Sequence, residues 1–295
     1  QDGSSGQFTG RAIVDWKPSD GIMVYASYSR GYRAGTFNGL AYGSANQVYF
    51  VKPEQVNAYE IGLKSRFWDN RAQFNISAFI YDYQGQQGQV VDATATANLI
   101  SLDGTMKGIE AELTVKPIES LTLNASFGLL DSKYKDGACP ANPATIPSFP
   151  AQLGSCVVSS GGPVSVAGNP FPFAAKSSAT LGFDFDAFDN GTTKLTLHGD
   201  ANYTGRFYFD SFKDYSRGPL TAVASGKFGQ GEGDYWLLNG RITLSHENYS
   251  LAIWGRNLTN KTYYPYGIAI ENLFGNGYRV RAQPRTFGAE ATMRF

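Results

Sequence analysis

The chain has 295 residues, with 25 Lys+Arg against 25 Asp+Glu, so no overall charge drives it toward nucleic acid or anionic surfaces. Charged residues are 17% and aromatics 14%, poorer in charge than the roughly 25% of soluble domains. Two His and two Cys are too few for a zinc centre or an iron–sulfur cluster, and no apolar run approaches the ~18 residues of a spanning helix.

From residue 6 onward, stretches of about ten residues alternate apolar and polar positions, as a strand with two unlike faces must. Residues 6–16 set Ala12, Val14 and Trp16 against Arg11 and Asp15, and residues 22–30 set Ile22, Val24, Ala26 and Tyr28 on one face. Residues 59–67 oppose Tyr59, Ile61, Leu63 and Phe67 to Glu60, Lys64 and Arg66, and residues 72–80 continue the pattern. Residues 108–116 oppose Ile109, Ala111 and Leu113 to Glu110, Glu112 and Lys116. The same alternation recurs at 121–129, 178–185, 195–206, 238–244, 249–256 and 287–295, which predicts eleven strands.

The connections alternate as well. Short turns rich in Pro, Asp, Asn and Gly fall at 17–21, 68–70, 117–120, 187–191 and 246–248, which is ordinary turn chemistry. Long polar or aromatic loops fall at 31–52, 84–103, 135–176, 209–234 and 259–280. Every short turn therefore lies at one end of an up-and-down sheet. Short turns on one side, long loops on the other, and apolar-out, polar-in strands define a transmembrane antiparallel β-barrel. A soluble antiparallel protein with one buried face is the alternative. Glu60, Lys64, Arg66, Glu110, Glu112 and Lys116 on the polar rows argue for a hydrated lumen. Trp16, Phe67, Trp68, Tyr249 and Phe295 flank the short turns, where an amphipathic ring suits a membrane interface. Lumen charges such as Glu60, Arg66, Glu110 and Arg206, and His198 on a polar row, read as wall positions facing water or an inserted domain. Bacterial single-chain barrels have even strand numbers and start and end on the short-turn side. Eleven is odd, so the pattern predicts at least one strand before Gln1.

A family resemblance follows from motifs spread along the chain. Gly255-Arg256-Asn257-Leu258-Thr259-Asn260-Lys261-Thr262-Tyr263-Tyr264 resembles a signature near the end of TonB-dependent outer-membrane receptors. Pro284-Arg285-Thr286-Phe287-Gly288 with the terminal Phe295 resembles their last strand. Tyr25-Ala26-Ser27-Tyr28-Ser29-Arg30-Gly31-Tyr32-Arg33-Ala34-Gly35, Pro53-Glu54 with Tyr59-Glu60-Ile61-Gly62-Leu63-Lys64, and Gly108-Ile109-Glu110-Ala111-Glu112 resemble further strands in the family's order. The resemblance implies the C-terminal part, residues 1–295, of a barrel of about 22 strands. The plug, the first barrel half and the segment that contacts a TonB-type periplasmic energy transducer would lie outside these residues. It also implies that Phe287 and Phe295 are read by the barrel assembly machinery.

The implied function is active uptake of a scarce nutrient, a ferric siderophore in first place. Vitamins, glycans and other organic ligands are the alternatives within the family. A passive porin or adhesin barrel is the alternative outside it. Haem ranks below siderophores, because Gly35 stands where the haem receptors' loop motif has Pro and the long loops contain no His. Tyr32, Arg33, Phe37, Tyr215, Arg217, Tyr278 and Arg279 lie in the long loops; aromatic faces and Arg forks suit a planar anionic metal chelate. Cys139 and Cys156 share one long loop, and passage through an oxidising periplasm favours a disulfide over two free thiols. No nucleophile–base arrangement or Gly-Xaa-Ser-Xaa-Gly elbow appears, so no enzyme activity, cofactor or resident metal is expected.

Overall fold

The computed structural model describes residues 6–39, 48–91, 97–135, 156–159, 162–209, 231–269 and 277–295, none of them helical. The strands are β1 (Gly10–Ser19), β2 (Ile22–Arg33), β3 (Thr36–Phe37), β4 (Phe50–Val51), β5 (Glu54–Phe67), β6 (Ala72–Val91), β7 (Ala97–Ile118), β8 (Leu121–Tyr134), β9 (Cys156–Ser159), β10 (Gly162–Ser165), β11 (Ser177–Asp189), β12 (Thr193–Thr204), β13 (Phe207–Tyr208), β14 (Gly231–Glu232), β15 (Tyr235–His246), β16 (Tyr249–Arg256), β17 (Tyr266–Ala269), β18 (Gly277–Val280) and β19 (Thr286–Met293). Eleven form one sheet in the order β1-β2-β5-β6-β7-β8-β11-β12-β15-β16-β19. Every neighbouring pair is antiparallel. The other eight pair off as β3–β4, β9–β10, β13–β14 and β17–β18, and each small hairpin sits inside a long connection.

Register keeps the two faces unmixed. Val14 lies opposite Ala26, Ala26 opposite Ile61, Ile61 opposite Ala78, Ala78 opposite Ile109, and Ile109 opposite Leu129. Farther along, Leu181 faces Ala201 and Ala201 faces Leu238, while Ile242 faces Ile253 and Ile253 faces Ala289. A one-residue slip at any pair would turn a strand's apolar set to the other face. Among the described residues nothing covers this apolar face: Ile61 is 58% exposed and Ile253 60%. Trp16, Phe67, Trp68 and Tyr249 are exposed at its short-turn rim, and Tyr28 and Tyr59, with ring centroids 5.2 Å apart, at the other. The polar rows line the inner face, where glycine admits close rings. A Cβ on Gly62 would lie 2.5 Å from the Tyr25 ring, and one on Gly108 2.6 Å from Phe79.

The structure corrects the expected pattern at several places. Residues 84–91 and 97–103 are strand and not loop. β6 and β7 run on through them, Gln86 facing Leu102 and Val90 facing Asn98, after a register shift between Tyr83 and Gln86. Gly85 supplies the positive φ of +67° at that bulge, where a side chain would be strained. The polar, Gln-rich composition hid strands that rise above the apolar belt and pair on backbone bonds. The first strand begins at Gly10 and ends at Ser19, which leaves Phe8 outside it. Arg206 lies beyond the end of β12 and is not a wall residue.

A charge placed on the outer row should cost far more than one placed on the inner row. Ile61→Arg is expected to destabilise the folded sheet by about 2–4 kcal/mol, and Ser77→Arg, opposite Glu110 on the inner face, by less than about 1 kcal/mol. Heat-dependent gel mobility of the folded form in detergent measures both.

Candidate ligand-binding mouth

Among the described residues most of the buried apolar side chains gather at the long-loop end, with Ala72, Phe79 and Ala252 buried elsewhere along the strands. Tyr83, Gly104 and Tyr134 stand opposite one another across β6, β7 and β8 and share the face of Ser77, Glu110 and Gly128. The segment after β10 folds in over them. Phe171, 2% exposed, packs edge-on to Tyr83 at 5.7 Å and against Tyr134 at 4.8 Å, with Leu102 and Val166 in the same cluster. Its backbone N–H donates to Ser132 Oγ at 3.0 Å. Gly104 makes room, since a Cβ there would strike the Phe171 ring. Burial pushes the Tyr83 phenol above its ordinary pKa, and the charge of Glu54 adds to the shift.

A second cluster lies farther round. Phe207, Phe209 and Tyr235 are buried, with Leu237, Tyr263 and Tyr264 against them; Tyr235 and Leu237 lie on the inner face of β15. Phe173 joins the two clusters, its N–H donating to the Tyr208 carbonyl at 2.7 Å. Its ring lies 6.3 Å from Phe207, 6.1 Å from Phe209 and 5.9 Å from Tyr266, nearly parallel to the last at 5°. Phe173 is 48% exposed and holds a φ of +58°, a left-handed conformation that bulky residues rarely adopt and that marks functional positions. Beside it, the Arg279 guanidinium stands 5.6 Å from the Phe209 ring and 5.4 Å from the Tyr264 ring, and Nη2 donates to the Gly231 carbonyl at 3.2 Å. The result is a ledge of aromatic rings, seated through Phe207 and Phe209 on the inner-face Tyr235 and Leu237, with a cation at its flank. That chemistry accepts a planar, partly aromatic anion.

The hairpin β17–β18 carrying Arg279 springs from the Asn257-to-Lys261 turn. Asn257, buried and at φ +50°, donates from Nδ2 to the Lys261 carbonyl at 2.9 Å and accepts at Oδ1 from the Lys261 N–H at 2.8 Å. Its own N–H donates to Asn239 Oδ1 at 3.0 Å. Asn260, at φ +55°, accepts from the Arg285 N–H at 3.1 Å, and Arg285 Nη1 reaches the Leu258 carbonyl at 3.3 Å. The sequence signature at 255–264 is thus a scaffold that ties β16 to the entry of β19.

The sequence-selected residues are dispersed. Arg279 reaches the ledge, and Tyr278 beside it is exposed. Tyr32, on β2 opposite Gln55, falls on the outward row of Tyr28 rather than the inner face. Arg33 lies 4.0 Å from Glu54, and Phe37 packs on Phe50 at 5.3 Å inside the β3–β4 unit. Tyr215 and Arg217 lie outside the described residues. So does Cys139, while Cys156 opens β9 opposite Ser165. Phe287 stands on the apolar face, 67% exposed, and Phe295 lies just past β19. His198 stands on the hydrated inner wall, 41% exposed, with Nδ1 2.8 Å from Asp184 and Nε2 3.4 Å from Asp200. Nearby, Arg241 grips Glu290 through both terminal nitrogens at 3.2 and 3.1 Å. Among the described residues no three His, Cys, Asp or Glu side chains converge as a metal-ligand set. Phe171 and Phe173 escaped sequence reasoning, although their alternation with proline in Asn169-Pro170-Phe171-Pro172-Phe173 marks an extended, ring-bearing segment.

Residues 1–258 match the family model for TonB dependent receptor-like β-barrels. The chain belongs to that family, whose members are transport receptors of the bacterial outer membrane. The probable TonB-dependent siderophore receptor PiuA of Acinetobacter baumannii is 27% identical over 212 residues, 68% of this chain and 25% of that protein. The ferric yersiniabactin uptake receptor FyuA of Yersinia pestis superposes with a TM-score of 0.73 at 15% identity, over 97% of this chain and 37% of FyuA. The ferric preacinetobactin receptor BauA of Acinetobacter baumannii gives 0.60 at 20% identity, over 96% of this chain and 35% of BauA. The chain thus spans about a quarter of its curated relative and just over a third of these solved receptors.

Asn257→Ala should remove both side-chain bonds of the turn and leave an alanine at positive φ, costing about 2–3 kcal/mol. Thermal unfolding in detergent measures it, and Asn257→Gly, which keeps the backbone freedom, should lose less.

Proposed function

We propose that these residues are the C-terminal part of an outer-membrane receptor that binds a ferric siderophore at its extracellular mouth and imports it with energy from a TonB-type transducer. The observation that carries this reading is the ledge of Phe173, Tyr266, Phe209, Tyr264 and Arg279, an aromatic and cationic surface at the long-loop end of a receptor-family barrel. PiuA, FyuA and BauA, similar in sequence or fold, are each named as siderophore-type receptors. In this reading a plug and the first half of the barrel belong to the same protein, and the transducer acts through that region. The exposed Phe287 and the terminal Phe295 serve as the strand signal for the barrel assembly machinery. A Cys139–Cys156 disulfide would restrict the unfolded chain by about 3 kcal/mol; full thiol labelling of both cysteines without reductant would exclude it.

The test uses the full-length receptor. Quenching of intrinsic fluorescence by a ferric catecholate should saturate, and Phe173→Ala and Arg279→Gln should each weaken binding about tenfold. Iron-55 uptake from the same chelate should stop when the proton motive force is collapsed. A large steady conductance in planar bilayers, with uptake indifferent to both substitutions and to the proton motive force, would instead establish a passive channel.

A further inference from the structure

The inner wall carries its charge unevenly. On β5 and β7, Glu60, Glu110 and Glu112 face the lumen, and among the described residues none of them is ion-paired with a Lys or Arg. Across β11, β12, β15, β16 and β19 the charges are matched. His198 lies between Asp184 and Asp200, Lys194 reaches Asp186 at 2.8 Å, and Arg241 clasps Glu290. Asp200 also accepts from Asn239 at 2.6 Å. Arg256 is the exception on this side. It shares the parity of Trp254, which faces Arg241 and Gly288, and it faces Thr286 across β19. It is exposed to the lumen and meets no carboxylate among the described residues.

The contact of Arg256 is a ring. Its guanidinium stands 5.3 Å from the Trp254 indole. Gly288 lets that half-buried indole settle against the sheet, since a Cβ there would lie 2.3 Å from it. The pair stands just below the ledge. Arg256 is one step past the Gly240–Gly255 pair, beside Asn239, whose Oδ1 accepts from the Asn257 N–H. Leu237, which helps to seat the ledge, is two residues from Asn239 along β15, about 7 Å at the usual rise of a strand. The pair repeats the chemistry of the ledge, where Arg279 stands 5.6 Å from the Phe209 ring and 5.4 Å from the Tyr264 ring. A planar anion that leaves the ledge therefore meets the same ring and guanidinium on this wall, and unmatched carboxylates on β5 and β7.

We infer that Trp254 and Arg256 form a transit subsite for the anionic ferric chelate inside the lumen, and that the cargo passes along the wall of β15, β16 and β19. The inference rests on the siderophore reading and adds a stage to it: the ledge captures the chelate, and the pair receives it once the plug has moved. One indole and one guanidinium hold an anion weakly, which suits a station that must be left as readily as it is entered.

The full-length receptor, with a ferric catecholate as probe, tests it. Arg256→Gln should leave the midpoint of fluorescence quenching unchanged and lower the maximal rate of iron-55 uptake about tenfold, with half-saturation unmoved. Trp254→Leu should lower the rate in the same way, and Arg256→Lys, which keeps the charge, should recover part of it. Arg66→Gln removes a lumen cation from β5 and should leave uptake unchanged. Heat-dependent gel mobility confirms that each variant folds. Full uptake by Arg256→Gln, or an equal loss in Arg66→Gln, would overturn the subsite. A steady conductance of Arg256→Gln in planar bilayers without chelate would overturn it too, by making Arg256 a contact that holds the plug. Absence of saturable quenching in the unsubstituted receptor would instead overturn the siderophore reading, and the subsite with it.

Discussion

A polypeptide in lipid finds no water for its amide groups, and an unsatisfied N–H or C=O there costs several kcal/mol. That constraint explains the sheet order. Each long strand is bonded to the long strands before and after it, and the meander never crosses over. β1 and β19 pair on one side only, and an open edge has no place in a bilayer. Short turns follow on one side because adjacent antiparallel strands need only a few residues to reverse. The other side is free to lengthen, and its connections carry the small hairpins and the ring-bearing segments.

The same constraint divides the chemistry of the two faces. The outer face needs only apolar bulk, so Ala, Gly, Leu, Ile and aromatics alternate without a packed layer above them. The inner face must be wettable, and it carries paired and bridged groups: Tyr25 Oη donates to Glu60 at 2.6 Å, His198 sits between two aspartates, and Arg241 clasps Glu290. Buried apolar packing appears where strands rise out of the membrane and loops fold inward. Phe171 closing over Gly104 and Phe173 bridging to Phe207 and Tyr266 turn polar strand ends into a ringed mouth. The rim outside that mouth is chemically distinct again, with Lys107 and Lys133 on Asp131 above exposed Ile109 and Leu129. One set of strands therefore presents three surfaces to three solvents: lipid, lumen water and the outer interface.

Local alternation revealed the long strands because each residue's side is fixed by parity alone. It failed at residues 84–91 and 97–103, where Gln and Gly carry little apolar signal and the pairing rests on backbone bonds between β6 and β7. It also misplaced Tyr32, whose position two residues beyond Arg30 on one strand puts it outside the barrel. The signature at 255–264 was visible as a motif, but its work is architectural: Asn257 and Asn260 hold left-handed turns and satisfy buried backbone groups.

By itself the sequence determined the strand repeat, the sidedness of the loops and the family, because period-2 alternation and turn chemistry are local properties that each segment carries without its neighbours. Tertiary structure decided the rest. Asp184 meets His198, and Lys107 meets Lys133 through Asp131, only once register is set across strands. The ledge exists only because residues 171–173 fold in over β6, β7 and β8 and against rings from β13 and β17. Such convergence depends on contacts between residues far apart in the chain, and no local pattern encodes which distant residue will arrive.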